Sequence, residues 1–374
     1  MNEILSVLRF GRFSGRGGQQ KPSARRVSGF ALAASVLIAT PVPTIGGFFG
    51  ARASLVWNFD RPSAVAGTDG YVFVANRSSN SVTMIKASTG SYVRTLSGSS
   101  YDFNEPNAML ADGQDVFAAN FDGNSITEMS STAGKVVRVI RSPEYRFRRP
   151  DAMAVWGVNV VVANYTGDSL TIFNAASGKF VRLLANGGRA PYPYDAPDGL
   201  AVKYQKVFVS NADGFRGSNL VEVNPANGAV VRSYSGAPYS AAIALDGARG
   251  FVASNQPEAG AGAVVVFRAA LGGPWRVLNQ PSYGFEHPDA MAVADGLVFV
   301  VNGSSTSSSP GGSVTEVNTN GTLVNRQYGS GYMFEAPDAI AAEGADMFVA
   351  NGSSNTLTEF VTTTGALVRV IGSG

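Results

Sequence analysis

No cysteine occurs among the 374 residues, so a disulfide framework, a thiolate metal site and a cysteine nucleophile are all excluded. Histidine is almost as scarce. His287 is the only one, which rules out a zinc site built from several imidazoles and leaves one candidate base for any Ser-His-Asp arrangement, with no nucleophile elbow present. Charged residues make up only 15% of the chain. The formal net charge of +2 is unevenly placed. Residues 1–53 hold seven basic side chains against Glu3, so the remainder is net acidic and lacks the basic footprint by which proteins bind nucleic acid. Long hydrophobic runs are missing as well. The apolar stretch at 30–40 ends at Pro41 and Pro43, well short of the roughly 20 residues that span a bilayer.

That leader has the order of an export signal: basic residues up to Arg26, the apolar stretch, then Ala51-Arg52-Ala53 as a small-residue cleavage site. Residues 1–53 are therefore expected to be a signal peptide and 54–374 the mature chain. Arg25-Arg26 leaves the twin-arginine route open beside the ordinary secretory one. An uncleaved leader would instead make the protein a membrane-tethered sensor ectodomain.

What the sequence has in quantity is one phrase, repeated. Residues 286–301, EHPDAMAVADGLVFVV, close on Asn302, and copies of the phrase recur. Their prolines stand at Pro62, Pro106, Pro150, Pro197, Pro238, Pro288 and Pro337. Their terminal asparagines stand at Asn76, Asn120, Asn164, Asn211, Asn255, Asn302 and Asn351, 44 to 49 residues apart. Such a period matches the roughly 40 to 50 residues of a four-stranded propeller blade. Within the sixth copy, 290–293 reads as an inner strand of small residues. The nearly unbroken apolar run 297–301 must be covered on both faces, 314–317 alternates, and 323–328 is a polar outer strand. Asp295-Gly296 and Asn320-Gly321 supply short turns. Arginines recur on the outer strand (Arg94, Arg138, Arg182, Arg232, Arg276, Arg369), where charge guards an exposed edge.

The fold class expected is all-β, a seven-bladed β-propeller of four-stranded antiparallel blades. The copies resemble the repeats of NHL and YVTN-type β-propellers, which include exported bacterial proteins. The resemblance rests on the Pro-x-x-(Ile/Met/Val)-Ala opening, on Phe73-Val74-Ala75-Asn76 and on Asn80-Ser81-Val82-Thr83. It covers about 57–371 and implies a fold; such propellers host unrelated activities. Eight stretches, 55–59 and 367–371 among them, could serve as the outer strands of seven blades, and 367–371 is expected to complete the last one. Residues 55–59 are then a lead-in that packs Trp57 and Phe59 between the last blade and the first.

Loop lengths are uneven. Loops after the second and fourth strands run long and emerge on one face, where binding usually sits. Three groups of residues on that face are candidates. Aromatic pairs precede the proline in six copies, and Tyr192 and Tyr194, set beside Arg189, form the pair most suited to touch a ligand. Wedging between blades is the other reading for the pairs. Asp151, Asp198, Asp289 and Asp338 follow the proline. They could gather around Ca²⁺ at the channel mouth, or each could cap its own turn. Glu286 and His287 complete the set, His287 as an exposed loop histidine or a base. The chain is thus expected to be a monomeric binding or scaffold module for a protein, glycan or small-molecule ligand on the long-loop face, with no nucleic-acid partner. The alternative is a metal-assisted lyase or lactone hydrolase working at the channel mouth. Streptogramin lyases and sugar-lactone hydrolases of propeller fold resemble the chain at that level, without a residue-by-residue match of their sites.

Overall fold

The computed structural model describes residues 57–186, 193–212, 220–234, 240–255, 262–270, 274–303 and 311–372. They form seven four-stranded antiparallel sheets, each taken in simple sequence order. The blades span 62–96, 106–140, 150–185, 197–234, 240–278, 288–327 and 337–371. First strands contact the first strands of both neighbouring blades, the first and seventh blades included, so they surround a common axis. This is the seven-bladed β-propeller expected from the period.

Each strand's composition suits its distance from that axis. The second strands, such as Tyr71–Asn76 and Leu297–Asn302, are apolar and buried along nearly their whole length. They are covered on both faces because a blade is sandwiched between two others. Outer strands such as Leu367–Ile371 are half-buried to exposed until their last residue.

Ring closure follows the sequence expectation. Leu367–Ile371 pairs with Thr356–Val361, so blade 7 is built wholly from the C-terminal stretch. Phe59 is buried in a cluster with Val65 and Val74 of blade 1 and Leu357 and Ile371 of blade 7, and Trp57 packs against that cluster.

Blade 5 corrects the sequence reading. Its strand register pairs Ser240 with Ser254, as Pro62 pairs with Asn76 in blade 1. The anchors of this blade are therefore two buried serines and not Pro238, which lies outside the described residues, or Asn255.

Two side-chain systems hold the blades. The strand-ending asparagines are more than turn residues: Asn120 donates through Nδ2 to Ser125 Oγ at 3.0 Å and Thr127 Oγ1 at 2.9 Å. Thr127 in turn donates to the backbone carbonyl of Tyr101 in the lead-in. The same relay recurs at Asn76, Asn164, Asn302 and Asn351. Outer-strand arginines also reach inward and sideways. Arg369 lies 2.9 Å from the fully buried Glu359 and donates to the Ser88 carbonyl of blade 1. Arg138 pairs with buried Glu128 and donates to Ala176 of blade 3, and Arg232 pairs with Glu222 and donates to Ala270 of blade 5.

Candidate functional site

The residue after each proline sits at a break in strand register, for example between Pro62 and Ala64. Such a bulge re-aims the side chain it carries. Ser63, Asn107, Asp151, Asp198, Asp289 and Asp338 occupy this slot, and Ala241 fills it in blade 5. Slots of adjacent blades touch. Ser63 Oγ donates to the Pro106 carbonyl at 2.9 Å, and Asn107 Nδ2 donates to Asp151 Oδ1 at 2.7 Å. Asn255, freed from the anchoring role, donates to Asp289 Oδ1 at 3.0 Å. The candidate carboxylates thus occupy corresponding positions on the long-loop side of the channel, in a ring of polar slots that Ala241 interrupts in blade 5.

They are not equivalent within it. Asp151 and Asp198 are fully buried, whereas Asp289 and Asp338 are only half-buried. Above these two the second strand is followed by glycine: a Cβ on Gly303 would lie 2.7 Å from Asp289 Oδ2, and one on Gly352 would collide with Asp338 Oδ2. Burial, then the charge of Asp289, pushes the Asp338 carboxyl up to about 7, while Arg61 and Arg77 draw it back down. His287 and Glu286 lie half-buried at the lip of blade 6, with the His287 carbonyl accepting the Gly303 N–H.

The aromatic pairs are stacked wedges. Ring centroids lie 5.2 to 5.4 Å apart for Tyr101–Phe103, Tyr145–Phe147, Tyr283–Phe285 and Tyr332–Phe334. The tyrosine hydroxyls donate to the carbonyls of Gly134, Gly178, Gly321 and Gly365 in the blades they lead into. Tyr194 is 2% exposed, and burial raises its hydroxyl pKa. Its proposed companions Tyr192 and Arg189 lie outside the described residues.

A large cavity opens at the other end of the channel, on the side of the short turns. It holds about 1000 Å³, and its walls come from the far halves of the first strands, including Leu110, Val155, Leu200, Val202, Val293 and Ile340. The polar ring takes the second residue of each first strand, whereas the cavity is lined from the fourth residue onward, as at Leu200 and Ile340. Its rim carries Asp69, Asp112 and Glu343 against the single cation Lys203. Burial, reinforced by Asp115, raises the pKa of Asp112. Burial and the nearby Asp69 raise that of Glu343, partly offset by the Gly70 N–H it accepts at 2.8 Å. Tyr204 and Gln205 complete the rim with backbones in the left-handed region, at φ 50° and 58°. Sequence reasoning passed over these residues because Asp69-Gly70, Asp112-Gly113 and Glu343-Gly344 read as turn formers. The available signal was the small first-strand residues, Ala111, Ala154, Ala201, Ala292 and Ala341, which line the cavity and leave the axis open.

Fold and channel together define the class: a seven-bladed β-propeller with an open axial cavity. No protein-family model matches the chain, and no curated protein matches it in sequence. Among solved structures it is similar to Kuenenia stuttgartiensis hydrazine synthase, with a TM-score of 0.60 and 16% identity over 85% of this chain and 99% of that one. It is also similar to the dihydro-heme d1 dehydrogenase NirN, solved in complex with DHE, with a TM-score of 0.53 and 15% identity. That match covers 82% of this chain and 64% of the dehydrogenase chain, so the protein spans less than two thirds of that relative. At these identities the likeness is one of fold.

Proposed function

We propose that this propeller is an exported binding module of the NHL/YVTN repeat type that takes a small cationic, partly apolar ligand into its axial cavity. The carrying observation is the cavity itself, about 1000 Å³ with aliphatic walls and three carboxylates against one lysine at its rim. That volume lies at the upper end of the range of small-molecule sites, and apolar walls with few polar groups are their usual make-up. A cation at the rim would offset the burial that, with Asp115 beside Asp112 and Asp69 beside Glu343, raises these two carboxyls. This reading moves the site from the long-loop face, where loop length alone would put it, to the short-turn face.

Thermal shift of the full chain with an alkylammonium series of increasing chain length is the test. Binding should tighten as pH rises and Asp112 and Glu343 ionise, and it should weaken in the Asp112→Asn/Glu343→Gln variant. A series that leaves the melting temperature unchanged at every pH refutes the cavity as a cation site. Export is supported by the leader's basic, apolar and small-residue order, and mass spectrometry of the exported product should find a mature N-terminus near Ser54.

A metal-assisted lyase or lactone hydrolase is the second reading, favoured by one observation. At the opposite mouth Asp338, poised near neutrality, sits beside Asp289 and under the influence of Arg61 and Arg77. A carboxyl with a pKa near the operating pH suits acid–base work. Loss of a lactonase or lyase activity in Asp338→Asn would establish it.

A further inference from the structure

The long-loop face carries its own chemistry, away from the axis. Residues 141–149 join blade 2 to blade 3 and contain four exposed arginines, Arg141, Arg146, Arg148 and Arg149. Arg61 and Arg77 stand on the neighbouring lip of blade 1. The ring of Phe121, at the end of the second strand of blade 2, ties the two groups together: the Arg77 guanidinium lies 5.6 Å and that of Arg149 5.1 Å from its centroid. Three of these arginines are already paired, Arg77 with Glu105 at 2.7 Å, Arg141 with Asp102 at 2.6 Å and Arg149 with Asp122 at 3.3 Å. Among the described residues Arg146 and Arg148 have no carboxylate partner. Between the loops a pocket of about 370 Å³ is lined by Asp102, Asn104, Asn124, Arg141, Arg146 and Phe147.

We propose that this surface over blades 1–3 docks an acidic peptide segment of a partner protein, with separate carboxylates received by Arg146 and Arg148 and a side chain seated in the pocket. Guanidinium forks match carboxylates in a bidentate fashion, which is why arginine and not lysine suits the task. The partner's charge must be sparse. Asp102, Glu105, Asp122 and Glu144 are interleaved with the arginines, so a dense polyanion such as a sulfated glycan meets repulsion at every step, whereas a peptide can address the arginines one at a time. The pairs already present show that carboxylates and guanidinium groups meet on this surface.

Fluorescence anisotropy of the full chain with a labelled peptide of alternating glutamate and glycine, compared with its lysine counterpart and with dextran sulfate, tests this. The glutamate peptide should bind, weaken with added salt, and lose roughly tenfold or more in affinity, about 1.4 kcal/mol, in the Arg146→Glu/Arg148→Glu variant. Both side chains are exposed and unpaired, so the melting temperature should not move. Arg276→Glu, on the outer strand of blade 5, should bind as the parent does. Unchanged affinity in the double variant overturns the proposal. So does equal binding of the lysine peptide, or dextran sulfate binding more tightly than the glutamate peptide through the same arginines.

Discussion

Replacing Asp338 with asparagine should stabilise the ring above neutral pH and leave it unchanged in acid. Burial and Asp289 raise this carboxyl from 3.8 to about 7. A group whose folded-state pKa is raised holds its proton more tightly in the folded protein. Folding stability is therefore greatest below the unfolded pKa, falls as pH climbs from about 4 to about 7, and is flat beyond. The rise in pKa is worth about 4 kcal/mol before screening by solvent. Asp338 is half-buried, and halving that figure for solvent screening leaves about 2 kcal/mol. Asparagine carries no charge at any pH and fits the slot, since Asn107 fills it in blade 2. Urea unfolding at about pH 4 and about pH 8.5 should show a gain near zero in acid and about 2 kcal/mol in base. A variant less stable than the parent in base would mean that ionised Asp338 is held favourably by Arg61 and Arg77, and the account of the ring would fall.

Four further outcomes follow from the same contacts. Arg369→Ala strips the partner from buried Glu359 and should cost about 3 kcal/mol in denaturant unfolding. Arg94→Ala, opposite Met84 in the register, should cost under about 1 kcal/mol. Asn120→Ala removes the donor to Ser125 and Thr127 and should cost about 2 kcal/mol by the same assay. Calcium should leave the melting temperature unchanged. Asp151 and Asp289 already accept from Asn107 and Asn255 and Asp338 keeps its proton up to about 7, and a calcium-dependent rise lost in Asp289→Ala would refute this.

Blade number, strand order and the closing strand 367–371 were legible because apolar alternation and turn residues repeat with one period. Blade 5 misled because Pro238 and Asn255 imitate the motif at nearly its spacing, while register is settled by which residues pair, Ser240 with Ser254. The arginines showed as edge charges; that they neutralise Glu128, Glu222 and Glu359 was hidden, since those glutamates alternate like any exposed strand residue and are buried only by the neighbouring blade. The four candidate aspartates share one slot in sequence, yet they differ in what lies above them, glycine at 303 and 352 and larger residues elsewhere. That difference depends on packing between strands distant in the chain. Cavity position was illegible for a related reason: loop length marks one face, but volume at the axis depends on how seven first strands converge.

Because every blade is cut from one continuous length of chain, the place where the ends meet is an ordinary joint. The contact of Arg369 with Ser88 across it repeats what Arg138 does with Ala176 and Arg232 with Ala270. The circle therefore has no privileged seam. A gene re-ordered to begin at Pro106 or Pro150, with Ile371 linked to Trp57 by a flexible tether, should produce the same ring, and new termini could be moved from joint to joint without redesigning any blade.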